Sequence, residues 1–349
     1  SRNFLAAIEW THQKASNGMG IRAFSSLVLN ERKESAGNNV LSSQDMVPSE
    51  LPAIEMHLNL TAALRPYWAW RGCLTEGRYR LAEALKLPMR DTTRTETLAA
   101  YARALSAAAY LAYLQNDQAQ AVEMADKSIA LWRKLNNRRG LAIALFYRGW
   151  SAQALADHEK AKTLYKESFH YLSPSADPRL YARLLFYQGL VAGFTSDFAQ
   201  MKAFYKQSRE LFEQIGDQNA IVDMFKDQGC MLVLEGKYRE AIGYLFKSIE
   251  SSYKLDHKPF MVIALGLLSF AFGMVEETEP VLALYSAQLG GNAHALAYTI
   301  GLEAWLTSSP LAPIMYQQIR SRIDEQTWES AWNAGEGLTI EQVIALART

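Results

Sequence analysis

Acidic residues and histidines are the side chains of this sequence that could perform acid–base chemistry or bind a metal ion. The carboxylates Glu276, Glu277 and Glu279 stand close enough along the chain to form a general acid and base pair. They fall at a helix junction, where acidic residues more often cap a helix in solvent than act in catalysis. The cluster therefore predicts a solvated helix cap and no catalytic residue.

Histidine and cysteine patterns also give no support for catalysis. No histidine lies four residues from another, and neither HExxH nor Cys-x-x-Cys nor a Gly-x-Ser-x-Gly elbow occurs. The two cysteines, Cys73 and Cys230, lie within apolar helical patterns, which favours a reducing compartment over a disulfide framework. We therefore expect a cytoplasmic protein that is not an enzyme and that holds no metal ion and no cofactor.

Composition and charge exclude further classes of protein. Lysine plus arginine equals aspartate plus glutamate at 36 each, whereas a nucleic-acid-binding surface needs an excess of clustered cations. No membrane span is expected, since the apolar run 260–275 is shorter than the roughly 20 residues that cross a bilayer. The run 281–302 is longer, but Gly290, Gly291 and Asn292 interrupt it. That run therefore predicts two helices joined by a turn.

A period of forty residues runs through the middle of the chain. Glycine recurs at positions 149, 189 and 229, and two further columns share this spacing. Such a period predicts stacked helical hairpins, in which each glycine lets two helices cross closely and a bulky residue fills the adjoining groove. The other two columns, mostly of small residues, are Ala121, Ala161, Met201, Ala241 and Ser128, Ser168, Ser208, Ser248.

Turn residues divide each unit into two helices. Such signals begin at Asn116 and recur at about forty-residue spacing, and no alternating β-branched stretch predicts a strand. A degenerate first unit contains a predicted helix over residues 58–70, and Thr339 with Gln342 predicts a capping box for the last helix. The predicted divisions are an N-terminal linking helix (1–29), a polar insertion or loop (30–52), repeats (53–277) and a C-terminal helical cap (278–349).

The spacing within each unit matches the tetratricopeptide pattern. Gly149, Ala161, Tyr165 and Ser168 fit it, whereas Met201 departs from it in the next unit. Residues 2–10 (RNFLAAIEW), 68–78 (WAWRGCLTEGR) and 328–347 (WESAWNAGEGLTIEQVIALA) are similar to the elements that flank such repeats in bacterial STAND-class signal-transduction ATPases. The chain thus resembles the C-terminal repeat region of those transcriptional regulators. We expect an all-α, right-handed superhelical solenoid of tetratricopeptide-like hairpins.

The resemblance implies that this region is a sensor and oligomerisation arm, with an upstream ATPase module in cis and possible homo-oligomers. It also implies that this region contacts neither nucleic acid nor membrane. The family's nucleotide-binding motif G-x-x-x-x-G-K-[ST] is absent here, so ATP binding does not carry over. A free-standing adaptor is the first alternative, and it would lack a nucleotide-binding loop upstream. The second alternative is an α/α-toroid enzyme, which would place acidic residues at the centre of a closed ring.

In tetratricopeptide arrays the first helix of each hairpin lines the concave face. The residues three before and one after the glycine column are expected to point there, and their apolar character suits a protein or peptide partner or a small inducer. Alanine at Trp150 and Phe186 is expected to abolish partner capture while the helical content survives. Alternatively, neighbouring repeats or the C-terminal helices cover these side chains. The candidate groove residues are Tyr110, Phe146, Trp150, Arg183, Phe186, Leu190, Lys226 and Phe270.

Overall fold

The chain folds into successive α-helical hairpins. A computed structural model describes residues 9, 53–87, 94–216, 218–275, 280–302, 317 and 319–346, and no strand occurs within these ranges. The predicted 1–29 linker (Glu9 excepted), the 30–52 insertion and the acidic cluster at 276–279 lie outside the described residues. The helices are α1 (Ala53–Ala63), α2 (Arg65–Arg71), α3 (Leu74–Lys86), α4 (Thr95–Leu114), α5 (Gln118–Lys134), α6 (Arg138–Ala154), α7 (His158–His170), α8 (Pro178–Phe194), α9 (Phe198–Ile215), α10 (Gln218–Leu234), α11 (Tyr238–Lys254), α12 (Lys258–Met274), α13 (Pro280–Ile300), α14 (Glu325–Glu336) and α15 (Ile340–Leu346).

The turn between the two helices of a hairpin is built in the same way in successive repeats. Asp117, Asp157 and Asp197 each accept a hydrogen bond from the backbone N–H three residues later, which satisfies a free donor in the first turn of the second helix. The residue that precedes each capping aspartate has a positive φ, in the left-handed region of backbone conformation. The glycine at the same position of the fourth repeat has a positive φ too. These residues are Asn116, Ala156, Ser196 and Gly236. The forty-residue period therefore repeats one backbone turn.

The serine column joins the two helices of a hairpin by a buried hydrogen bond. The hydroxyls of Ser128, Ser168 and Ser208 each donate, over 2.8 Å, to the carbonyl oxygen of an alanine in the preceding helix. A buried hydroxyl costs stability unless it is hydrogen-bonded, and this bond satisfies it. The serines therefore fix the register of α5 on α4, of α7 on α6 and of α9 on α8.

The glycine column provides the close approach that its spacing predicted, with one variation. A Cβ at Gly229 would lie 2.5 Å from the side chain of Leu245, sixteen residues later, so this fully buried leucine would have to shift. At Gly189 the nearest atom is the backbone oxygen of Met201 at 3.3 Å. The Met201 sulfur would lie 2.6 Å from a Cβ at Gly193, so a second glycine of α8 makes room for the larger side chain.

The first unit differs from its predicted form. Residues 58–70 are not one helix: α1 ends at Ala63 and α2 begins at Arg65. Pro66, at the start of α2, has no N–H to donate to the preceding turn, and its ring disfavours continuation of α1. The prediction of a continuous helix was wrong for this reason.

The run 281–302 also differs from its prediction, because it forms the single helix α13. A Cβ at Gly291 would lie 2.1 Å from the backbone oxygen of Trp332, and one at Gly335 would lie 2.1 Å from that of Gln288. The glycines therefore serve a close crossing of α13 with α14 and do not form a turn. At the end of this region, Thr339 and Gln342 form the predicted capping box through reciprocal bonds of 2.8 and 3.3 Å.

The first unit packs against the last helices of the array. Trp70 lies 5.5 Å from the ring of His257, Arg71 pairs with Asp256, and Gln115 donates to the Gly301 carbonyl over 3.2 Å. Apolar side chains of the first unit form one buried cluster with Ile300 and its neighbours. The helical array therefore curves back on itself, so that the first unit meets the start of α12 and the end of α13.

Apolar burial is expected to stabilise the contact between the first unit and the end of α13 more than the ion pair does. Ile300→Ala is expected to lower the free energy of unfolding by about 2–4 kcal/mol, since it empties a buried site. Arg71→Gln is expected to change it by less than about 1 kcal/mol, because the Arg71–Asp256 pair is half exposed on both sides. Urea denaturation of both variants measures the difference. If both variants lost the same free energy of unfolding, the ion pair would contribute as much as apolar burial to the contact between the first unit and the end of α13.

Candidate functional site

The first helices of consecutive hairpins, α4, α6, α8, α10 and α12, contact one another in order and form an inner layer. Helix α2 lies against this layer: Arg65 at its start contacts α4 and α6, and Trp70 near its end contacts the start of α12. Since α2 is only roughly 9 Å long, the layer must curve around it. The inner layer therefore has a concave face, and α2 lies within that concavity.

Six aromatic rings are concentrated on the inner layer, with Trp150 at their centre. Five ring centroids lie within 5.5 Å of the Trp150 ring, in tilted and edge-to-face arrangements that favour aromatic packing. Together with Trp150 they form what we call the aromatic cluster: Tyr110, Tyr113, Phe146, Tyr147 and Tyr187. Phe146, Tyr147 and Trp150 are buried, whereas Tyr110, Tyr113 and Tyr187 keep part of their surface exposed. These three tyrosines are therefore the members of the cluster that keep accessible surface.

Arg65 covers one side of the aromatic cluster. Its guanidinium carbon lies 5.1 Å from the centre of the Tyr110 ring and 5.4 Å from that of Tyr147, and it also donates a hydrogen bond to the Tyr147 hydroxyl. Burial lowers the pKa of Arg65, and the nearby Arg183 lowers it further. This side of the cluster therefore presents positive charge next to aromatic rings.

A second group of polar side chains lies further along the inner layer. Lys226 pairs with Asp227 over 2.9 Å and sits 4.2 Å above the Phe260 ring. Burial raises the pKa of Asp227, while Lys226 and Arg183 oppose that rise. His257 accepts a bond from the Phe260 N–H, and burial lowers its pKa to about 3, so it is neutral at pH 7. Burial likewise raises the pKa of Cys230 to about 11, which leaves its thiol protonated.

The structure separates the eight candidate groove residues. Tyr110, Arg183 and Lys226 are partly exposed on the inner layer. The others are buried: Trp150, among aromatic rings, and Phe186, among apolar side chains, are each 5% exposed. The remaining buried members are Phe146, Leu190 and Phe270. Side chains of neighbouring repeats pack on Phe146, Trp150, Phe186 and Leu190, and side chains of the C-terminal helices pack on Phe270.

Phe270 is also remote from the aromatic cluster. It packs against Ala283, Ile319 and Trp328 in the core formed by α12, α13 and α14. Its position in the column one after the glycine does not bring it to the cluster, because side chains of α13 and α14 pack against it. Leu190 and Phe186 pack together with Met201 and Met231 in a third core cluster.

Sequence reasoning missed the column two residues before the glycine. Tyr147, Tyr187 and Asp227 lie forty residues apart in this column, and all three contribute to the inner layer. Their spacing was a signal that could have identified them. Arg65 gave no such signal, because its position depends on the break between α1 and α2.

The described residues show neither a membrane span nor a metal-binding cluster. No helix among them is long and apolar enough to cross a bilayer, and no group of three histidine, cysteine or acidic side chains within them is placed to hold an ion.

Comparison with known proteins identifies the fold. No family model and no curated protein matches the sequence. Among 43 matching chains of solved structures is a crystal structure of Rap protein complexed with competence and sporulation factor. The likeness has a TM-score of 0.52 at 15% identity and covers 89% of this chain and 82% of that one. By fold, therefore, this chain is a tetratricopeptide-like helical-repeat solenoid.

Proposed function

We propose that the chain binds a protein or peptide partner, or a small inducer, on the inner layer, and that it does so without catalysis. The observation that carries this proposal is the aromatic cluster with Arg65 at its edge. Tyrosine, tryptophan and arginine are the residues that most often dominate the binding energy of protein interfaces. Their concentration on a concave face supports recognition of a ligand that carries apolar groups.

The fold likeness supports the same class of function. The Rap protein with a similar fold is complexed with competence and sporulation factor, and we infer that this chain likewise binds a partner. The resemblance of residues 2–10, 68–78 and 328–347 to STAND-class regulators extends the proposal to a sensor region that works with an upstream ATPase module in cis, assembles into oligomers and resides in the cytoplasm. Both cysteines are free, which is consistent with a reducing compartment.

The arrangement of α2 suggests how binding could act at a distance. A ligand on the aromatic cluster would contact the repeats and α2 together, and α2 is joined to α12 by the Trp70–His257 contact. Binding that favours one curvature of the array would shift its equilibrium towards that curvature. An attached module that responds to curvature would be regulated in this way.

The proposal predicts that Tyr187→Leu weakens ligand binding at least about tenfold, because it removes a partly exposed ring of the cluster while keeping apolar volume. Thermal unfolding across a library of short peptides and metabolites identifies ligands, since selective binding to the folded state raises the melting temperature. Isothermal titration with each hit then compares the variant with wild type.

The matched control is Tyr253→Leu on α11, a second helix of its hairpin, where the ring is exposed and its hydroxyl bonds Glu341. It should bind each hit as wild type does. Equal weakening by both variants, or no weakening by Tyr187→Leu, would contradict binding at the aromatic cluster. An upstream nucleotide-binding loop in the gene would favour the regulator over a free-standing adaptor.

A further inference from the structure

The glycine column fixes helix crossings tightly in α6 and α10 but not in α8. A Cβ at Gly149 would lie 2.2 Å from the Tyr165 ring, and one at Gly229 would lie 2.5 Å from the Leu245 side chain. A bulky side chain that fills such a gap fixes how the two helices cross. At Gly189 of α8 no side-chain atom would come nearer than 3.4 Å, which is ordinary van der Waals contact. The neighbours of α8 are therefore free of this constraint.

Methionines form much of the buried junction between the α8–α9 hairpin and α10. Met201 of α9 fills the gap at Gly193 and shares a core cluster with Met231 of α10, while Met224 of α10 packs with Phe212. Among the described residues, the two core clusters that join α4, α6 and α8 contain no methionine. Methionine is unbranched and rotates about three bonds, so it can refill a gap after its neighbours move. This junction therefore tolerates a shift of α10.

The α10–α11 hairpin lacks the serine hydrogen bond that fixes the register of the three hairpins before it. The residue of α11 in the column of Ser168 is Ser248, which is 1% exposed and has no hydrogen-bond partner in the described part of the chain. Ser252, one turn further along α11, is fully buried and is also unpaired there. Because the two helices are antiparallel, both serines lie beyond the Gly229–Leu245 crossing, beside the N-terminal half of α10. Helix α11 thus holds α10 at the crossing, but no serine bond holds it beyond that point.

Tyr205 of α9 has two alternative hydrogen-bond acceptors on α10. Its hydroxyl lies 3.1 Å from the Met224 carbonyl oxygen and 3.0 Å from Oε1 of Gln228. A phenol carries a single proton and donates it to one acceptor at a time. The two acceptors belong to residues four apart, about one helical turn. Helix α10 can therefore shift along α9 and keep this bond by a change of acceptor.

We propose that α10 is the helix at which the array changes its curvature. It pivots about its crossing with α11, while the methionines repack and Tyr205 changes its acceptor. Lys226 of α10 pairs with Asp227 and lies 4.2 Å from the centre of the Phe260 ring of α12, so a pivot moves α12 relative to the hairpins before it. Helix α12 also contacts Trp70 of α2, so the same motion changes the width of the concave face. The proposed function thereby gains the helix that moves, and the pivot itself needs no bound ligand.

The test measures distances in the free full chain by double electron–electron resonance, with both native cysteines replaced by alanine and spin labels on two introduced cysteines. The test pair, Gln207→Cys with Lys247→Cys, lies on α9 and α11 and spans the junction with α10. The control pair, Lys166→Cys with Lys206→Cys, lies on α7 and α9 and spans the preceding junction. All four positions are exposed. The distance distribution of the test pair is expected to be wider by about 2 Å, the size of ordinary helix shifts. Equal widths would overturn the inference.

Leucine in place of methionine provides the matched variants, since this exchange conserves volume and is well tolerated in cores. Met224→Leu combined with Met231→Leu should narrow the distribution of the Gln207–Lys247 pair to the control width, because a branched side chain adapts less well to a shift. Met261→Leu, at a buried position of α12 outside this junction, should leave the distribution wide. An unchanged width in the double variant, or equal narrowing by Met261→Leu, would overturn the assignment of the motion to α10.

Serine replacements give a second readout that needs no label. Ser168→Ala is expected to lower the melting temperature by about 2–4 °C, since it removes the buried bond to the Ala142 carbonyl. Ser248→Ala is expected to keep or raise the melting temperature, because it removes a buried hydroxyl that is unpaired among the described residues. An equal drop in both variants would show that α11 fixes α10 as the earlier hairpins are fixed, and would overturn the inference. A rigid α10 would still leave ligand binding at the aromatic cluster standing.

Discussion

Gly149→Val is expected to lower the free energy of unfolding by about 3 kcal/mol. A Cβ at Gly149 would lie 2.2 Å from Cε1 of Tyr165, which is fully buried and donates a hydrogen bond of 3.0 Å to the Gln153 side chain. Tyr165 therefore cannot move aside without losing both its packing and this bond. Urea denaturation followed by circular dichroism measures the loss.

Gly243→Ala is the matched control for this prediction. Gly243 also lies within a helix, α11, but a Cβ there would meet no atom within 4 Å. Alanine should therefore stabilise the chain by about 0.5–1 kcal/mol through its higher helix propensity. A loss of stability in Gly243→Ala as large as that in Gly149→Val would show that helix backbone effects, and not the close crossing, explain the glycine column.

Trp150→Ala is expected to destabilise the fold by about 3–5 kcal/mol, the range found when a buried aromatic side chain is truncated. The Trp150 ring contacts five other rings of the aromatic cluster, so its removal leaves a cavity that they line together. Such a loss is a large fraction of the 5–15 kcal/mol that stabilises an ordinary domain. Thermal and urea unfolding of the variant measure the effect.

This expected result revises the prediction that alanine at Trp150 and Phe186 would leave the helical content intact, because both side chains are core. Trp70→Ala is the matched control: Trp70 is 41% exposed, and its loss should cost about 1 kcal/mol. If Trp150→Ala proved no more destabilising than Trp70→Ala, the aromatic cluster would be loosely packed. It would then be open to a ligand at Trp150 itself.

The sequence by itself determined the hairpins, their period and their turns. Caps such as Asp157 and hydrogen bonds such as that of Ser168 to Ala142 join residues close along the chain, within one hairpin. Local propensity and packing between adjacent helices determine these features. Residues that recur every forty positions therefore predict them. The tetratricopeptide-like fold was predictable for this reason.

Only the tertiary structure decided how the ends meet and which aromatic residues are covered. The Arg65–Tyr147 bond joins residues 82 apart, and the Gln115–Gly301 bond joins residues 186 apart. Such contacts depend on the summed curvature of several hairpins, which no single column of the sequence encodes. The same holds for α13, whose glycines serve contacts with the distant α14. Arg65 therefore became a candidate binding residue only once α2 was placed against the inner layer.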